Sequence, residues 1–165
     1  DFGQTPLQVG EEVKIRYFEQ NGNAPTLVYG GNRACYSPGQ DRVTMPEFAQ
    51  FSRSEEYYST LFHEMAHSTG HQSRLNRPDI VEGHAYGDAA YGREELVAEL
   101  GAAMLCASCG IEQVTLPNSA AYLAGWLGIL KKDSKMIVTA ASQAQKAADL
   151  IRGTVPASVQ LKEAA

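Results

Sequence analysis

The chain has 165 residues, of which 44% are hydrophobic and 20% charged, and a formal net charge of −5. That length suits one domain with a real hydrophobic core and leaves little room for a second. The acidic balance excludes a domain that clamps phosphate backbones unaided, and no apolar run approaches the roughly 18 residues of a membrane span, so a cytoplasmic protein with no membrane partner is expected.

In the first half, "EVKIRYFE" (12–19), "TLVYGG" (26–31), "RACYS" (33–37) and "RVTMP" (42–46) carry strand signals, separated by the turn-rich "NGNAP" and "SPGQD". They predict a small, mostly antiparallel sheet. "DRVTM" is expected either to be an edge that pairs with an extended peptide or an ordinary edge strand. From Ser54 the texture turns helical: Ser54 can cap a helix, Glu55 and Glu56 suit its positive end, and Gly70 can close it after about four turns. Residues 72–92, rich in Gly, Pro, Asn and Asp, read as a long loop of the kind that carries function. Arg93 to Ser108 reads as a second helix, apolar on nearly every side beyond Glu99 and so expected to be buried. Asn118 is placed to cap a third helix, with Tyr122 and Trp126 as core residues. A fourth is expected to start at Asp133 or Ser134 and to reach about Ile151.

Residues 1–153 are expected to form the domain, and 154–165 a flexible tail without a packing pattern. The chain begins at Asp1 rather than methionine, as an excised fragment or processed product would. Three cysteines are too few and too odd in number for a disulfide framework. Cys106 and Cys109 form a C-x-x-C with no second pair, and reduced, packed thiols are expected.

The chemistry concentrates in "TLFHEMAHSTGH" (60–71). On a helix, positions i and i+4 stand one above the other, so His63 and His67 can offer imidazole nitrogens to one ion. Glu64 lies about 100° round from His63 and about 60° from His67, near an ion but not aimed as a ligand. This is H-E-x-x-H, the spacing in which a zinc ion lowers the pKa of its water toward about 7 while the glutamate takes the proton. The bland alternative is a polar stripe with two incidental histidines.

A catalytic Zn²⁺ takes three protein ligands. An extended H-E-x-x-H-x-x-G-x-x-H would need a histidine where Ser73 stands. His71 suits a turn-capping or substrate-side role, with an unusual ligand role left open, and His84 is a weaker rival. "REELVAELGAAMLC" supplies a better candidate, because Glu95 and Glu99 are i, i+4 on a helix otherwise built for burial. Buried carboxylates need a cation or good donors. A metal would compensate Glu95, and the remaining N–H of a ligand histidine would compensate Glu99 and be oriented by it. Glu94 is the main rival to Glu95, though its place near the helix start also suits the dipole. Tyr86 and Tyr91 are expected in the loop before this helix, where a phenol could reach a developing oxyanion or merely pack. Arg74, Asn76 and Arg77 could bind a substrate carboxylate or phosphate, or anchor the loop.

H63-E64-x-x-H67 followed by E95-L-V-A-E99 resembles the glutamate-ligand zinc peptidases of the thermolysin type, with Glu99 where thermolysin has Asp. More closely, "YYSTLFHEMAHSTGHQSRLNR", "YGREELVAELGAAMLCASCGI", "NSAAYLAGWLGILKKD" and "AASQAQKAADLI" resemble the C-terminal metallopeptidase domain of ArdC-type antirestriction proteins, over about residues 10 to 153. The resemblance implies an α+β zincin-like fold, a small sheet packed on an active-site helix with further helices behind it. It also implies a Zn²⁺ site and, in the full-length proteins, an N-terminal domain that binds single-stranded DNA and a role in protecting plasmid DNA from restriction.

The expectation is therefore a zinc metallopeptidase domain acting on a protein or peptide substrate. His63, His67 and Glu95 would hold the metal, Glu64 would be the general base, Tyr91 a further catalytic candidate, and Glu99 would orient a histidine. The competing expectation is a metal-stabilised, non-catalytic module that binds restriction enzymes or DNA-associated partners. A purely structural metal would leave Glu64 without a task.

Overall fold

The computed structural model describes residues 3–83, 89–112, 133 and 135–154. Helix α1 (Pro6–Ile15) opens with a capping box: the Thr5 side chain accepts from the Gln8 backbone N–H, and the Gln8 side chain accepts from the Thr5 N–H at 2.8 Å. It runs on through a π-helical stretch, Arg16–Gln20. The strand expected over 12–19 is thus a helix. Gly10, Val13 and Tyr17 are its buried residues, and their spacing has the helical period rather than the alternation of a strand.

Three short strands follow: β1 (Thr26–Tyr29), β2 (Cys35–Ser37) and β3 (Arg42–Met45). The order is β1-β3-β2, with β1 parallel and β2 antiparallel to β3. The sheet is therefore evenly mixed rather than mostly antiparallel. The strand expected at an edge, β3, is central and paired on both sides, so it has no free backbone for a peptide. Val43 and Met45 are its buried residues, packed in the main core with α2 (Ser54–Ser68).

Ser54 is the first residue of α2 and not its cap; Arg53 is, without a side-chain bond, and the Glu56 carboxylate accepts from the Ser52 N–H at 3.2 Å. The apolar face of α2 presents Tyr58, Leu61, Phe62 and Met65 to the core. Its far end is held by Tyr17, whose hydroxyl lies 2.8 Å from Ser68 Oγ. The expected long loop is broken by a short helix, α3 (Pro78–Val81). Helix α4 (Ala89–Cys109) begins before the expected Arg93, which puts Tyr91 on the helix and not in a loop.

Helix α4 packs between α2 and α5 (Lys135–Arg152), and Asp133 Oδ1 accepts from the Lys135 N–H at 3.0 Å to start α5. Leu105, Cys106 and Cys109 of α4 are core residues, and all three cysteines are free thiols. Burial pushes the Cys106 thiol up to about 11, which suits packing rather than reactivity. No helix among the described residues is long and apolar enough to cross a membrane. His84, Tyr86, the expected third helix with Tyr122 and Trp126, Ser134 and residues 155–165 lie outside the described residues.

Candidate metal centre

Two helices build the site. Helix α2 brings His63 and His67 to one side, a turn apart, and their Nε2 atoms stand 3.0 Å from each other. Helix α4 crosses this face and inserts Glu95, with Oε2 3.5 Å from His63 Nε2 and Oε1 3.4 Å from His67 Nε2. The three donor atoms lie within 4.8 Å of one another. Ligands held at ordinary zinc distances in a tetrahedron stand about 3.4 Å apart, so the observed spacings fit a shared ion. Two imidazoles and a carboxylate also have the donor chemistry of a divalent transition metal. His63, His67 and Glu95 could therefore hold a metal ion.

Behind the imidazoles stand two further carboxylates. Glu99 Oε1 lies 3.3 Å from His63 Nδ1, at ion-pair distance. Glu94 Oε1 lies 3.2 Å from His67 Nδ1. Glu94 is 1% exposed and is met by the guanidinium of Arg77, itself 4% exposed. Glu94, the rival to Glu95, thus sits behind His67, at the ring nitrogen that does not face His63. Glu64 is buried on the same turn of α2.

The electrostatics favour a cation. Burial disfavours charge on His63, yet Glu95, Glu99 and Glu64 outweigh it and push its pKa up to about 10. His67 is raised as well, its burial opposed by Glu94 and Glu95. Burial would raise Glu95, but the two imidazoles hold it far below the usual carboxylate range. Glu94 is lowered against its burial by His67 and Arg77. Several carboxylates around two imidazoles form a pocket that draws positive charge, whether protons or a metal ion supply it.

The remaining candidates divide. Tyr91 is one helical turn before Glu95 and two before Glu99, on the same stripe of α4. His71 lies outside the donor cluster: its Nδ1 is 2.8 Å from Ser73 Oγ and accepts from the Ser73 N–H, as a turn cap does. Arg74 and Arg77 are anchors and not a surface for anions. Arg74 bonds Asp41, the Ser68 carbonyl at 2.8 Å and the Asn23 carbonyl at 2.9 Å, with its side chain 1% exposed. The buried task of Arg77 escaped the sequence, because its partner Glu94 is 17 residues away.

Two helices meeting at a pair of imidazoles and a carboxylate, beside a small mixed sheet, make a zincin-like domain. The chain belongs to the family of zincin-like metallopeptidases, whose model matches residues 16–143. It is 44% identical over 121 residues to the uncharacterized protein y4eC of Sinorhizobium fredii, covering 73% of this chain and 38% of that protein. It is 37% identical over 155 residues to a DNA primase TraC of Escherichia coli, covering 90% of this chain and 10% of the primase.

Among solved structures, the antirestriction protein ArdC from the R388 plasmid superposes with a TM-score of 0.70 in its Mn(II)-bound form, at 38% identity, over 92% of this chain and 53% of ArdC. The metal-free form of ArdC gives 0.69 at 37% identity, over 92% of this chain and 51% of ArdC. The chain thus spans well under two thirds of each of these relatives.

Proposed function

We propose that the chain is the metal-dependent peptidase domain of an ArdC-type antirestriction protein of a mobile element, working in the cytoplasm. The observation that carries this is the convergence of His63, His67 and Glu95 next to Glu64. His63, His67 and Glu95 would hold a divalent ion, Zn²⁺ by the donor set, which would supply a Lewis acid for a peptide carbonyl and lower the pKa of a water. Glu64 takes the proton of the attacking water and delivers it to the leaving amine. Glu99 steadies the His63 ring from behind, and Glu94 the His67 ring. Tyr91 donates to the oxyanion that develops on the carbonyl oxygen. The substrate is a protein or peptide. Single-stranded DNA would be bound by another part of the full-length protein, in keeping with this chain's net charge of −5.

The Mn(II)-bound form of the ArdC neighbour supports a divalent ion in this fold. The experiment is hydrolysis of a quenched fluorescent peptide library by the zinc-loaded protein and by Glu64→Gln. The expected result is turnover by the first and none by the second, with equal metal content and thermal stability. Equal turnover by both contradicts the mechanism.

A second possibility is favoured by the relatives' names, which refer to priming and antirestriction rather than proteolysis. In it the domain engages a restriction enzyme or another DNA-associated partner without cutting. Glu64→Gln in the full-length protein would then leave protection of incoming plasmid DNA intact.

A further inference from the structure

We propose that Arg77 is a positioning residue of the metal centre and that it decides which of two adjacent glutamates becomes the ligand. This rests on the assignment of His63, His67 and Glu95 as the metal ligands. Glu94 and Glu95 are neighbours on α4, chemically identical, and both touch His67: Glu94 Oε1 is 3.2 Å from Nδ1, and Glu95 Oε1 is 3.4 Å from Nε2. Residue type alone does not separate them.

The guanidinium does. Arg77 Nε donates to Glu94 Oε2 at 2.9 Å and Nη2 donates to Oε1, so both oxygens of that carboxylate are held in one planar fork. Glu94 is thereby committed to Arg77 and to the rear nitrogen of His67. That leaves Nε2 of His67 facing His63 and Glu95, the carboxylate that meets both imidazoles.

The same group ties the two helices together. Nη2 also donates to the Ala66 carbonyl at 2.8 Å and the His67 carbonyl at 3.3 Å, and Nη1 to Thr69 Oγ1 at 2.7 Å. One side chain therefore links the end of the helix bearing both histidines to the helix bearing Glu95. The backbone of Arg77 is fixed as well, its N–H donating to the Gly70 carbonyl at 3.0 Å. Space is reserved for it: a Cβ on Gly70 would stand 2.9 Å from both Cζ and Nη2 of Arg77. Lysine, with all its donors on one nitrogen, cannot span the carboxylate, the carbonyls and the hydroxyl together.

The test is equilibrium binding of Zn²⁺ to metal-free protein, against a competing chelator, for wild type, Arg77→Lys, Arg77→Gln, Glu94→Gln and Leu105→Ala. Leu105 is a fully buried residue of α4 outside the site, so its variant serves as a control for destabilisation alone. The Arg77 and Glu94 variants should bind about 10- to 100-fold more weakly, and Leu105→Ala should melt earlier yet bind as wild type does. A second readout is the ¹⁵N spectrum of the His67 ring in metal-free protein, where Arg77→Gln should change the Nδ1 signal. If that variant does not fold, Arg77→Lys and Glu94→Gln carry the test. Wild-type affinity in folded Arg77→Lys, or an equal loss in Leu105→Ala, overturns the role of Arg77. A wild-type chain that binds no zinc overturns the ligand assignment beneath it, a separate and recognisable outcome.

Discussion

Gly101 of α4 lies so close to Ala66 of α2 that a methyl group on it would stand 3.1 Å from the Ala66 Cβ. Both are buried, on the two helices that carry Glu95 and the histidines. Their close approach is one of the contacts that seat α4 on α2, so a group added there would press the carboxylate-bearing helix away from the imidazoles. Gly101→Ala gains about 1 kcal/mol of helix propensity but costs about 1–3 kcal/mol in overpacking. A net loss of about 1 kcal/mol is expected, with weaker metal binding. Adding Ala66→Gly should restore the binding, and metal titrations of the single and double variants check this.

Gly70→Ala should destabilise the fold by about 1–3 kcal/mol through steric crowding. The new Cβ would stand 2.6 Å from Ile80 Cγ1 and would press on Arg77. Gly70 is not among the residues with positive φ, so conformational strain plays no part. Urea unfolding of the variant measures the loss.

Asp41 gives the fold an acid-sensitive element. Burial would raise its pKa, but hydrogen bonds from Arg74 and Tyr36 outweigh that and hold it below the usual carboxylate value. With the folded pKa depressed, the stabilisation is present above the ordinary value of about 4 and is lost as pH falls through the lower, folded value. Asp41→Asn should lower stability at neutral pH by about 2 kcal/mol, since it leaves the Arg74 charge poorly compensated, and should flatten the acid limb. Asparagine tolerates the left-handed backbone there, φ 43°. Thermal melts across the acid range, compared with wild type, give both effects.

Tyr91→Phe tests the phenol on the ligand stripe. Loss of one oxyanion donor lowers kcat about 100-fold or more, while zinc affinity should hold. Single-turnover cleavage alongside a zinc titration separates the two.

The metal motif was legible because it is local: a helix puts His63 and His67 together whatever surrounds it. The place of Glu95 beside them was legible for a related reason, since a carboxylate on a helix otherwise built for burial calls for a cation or good donors. Glu94 was harder, because the partner that explains it, Arg77, approaches from another segment. Helix α1 departs from the expected strand for a different reason. "EVKIRYFE" is rich in β-branched and aromatic residues, yet Thr5, Pro6 and Gln8 already spelled a helix start whose capping box sets the register of Val13 and Tyr17. The central place of β3 is a matter of topology, and no residue pattern within the strand distinguishes it from an edge.

Metal content decides whether His63, His67 and Glu95 form a metal site: elemental analysis of purified wild type, Glu95→Gln and Glu94→Gln after zinc loading and removal of excess. About one ion per wild-type chain, lost in Glu95→Gln and kept at reduced affinity in Glu94→Gln, is the predicted result. No ion in the wild type, or loss in Glu94→Gln with retention in Glu95→Gln, would contradict it.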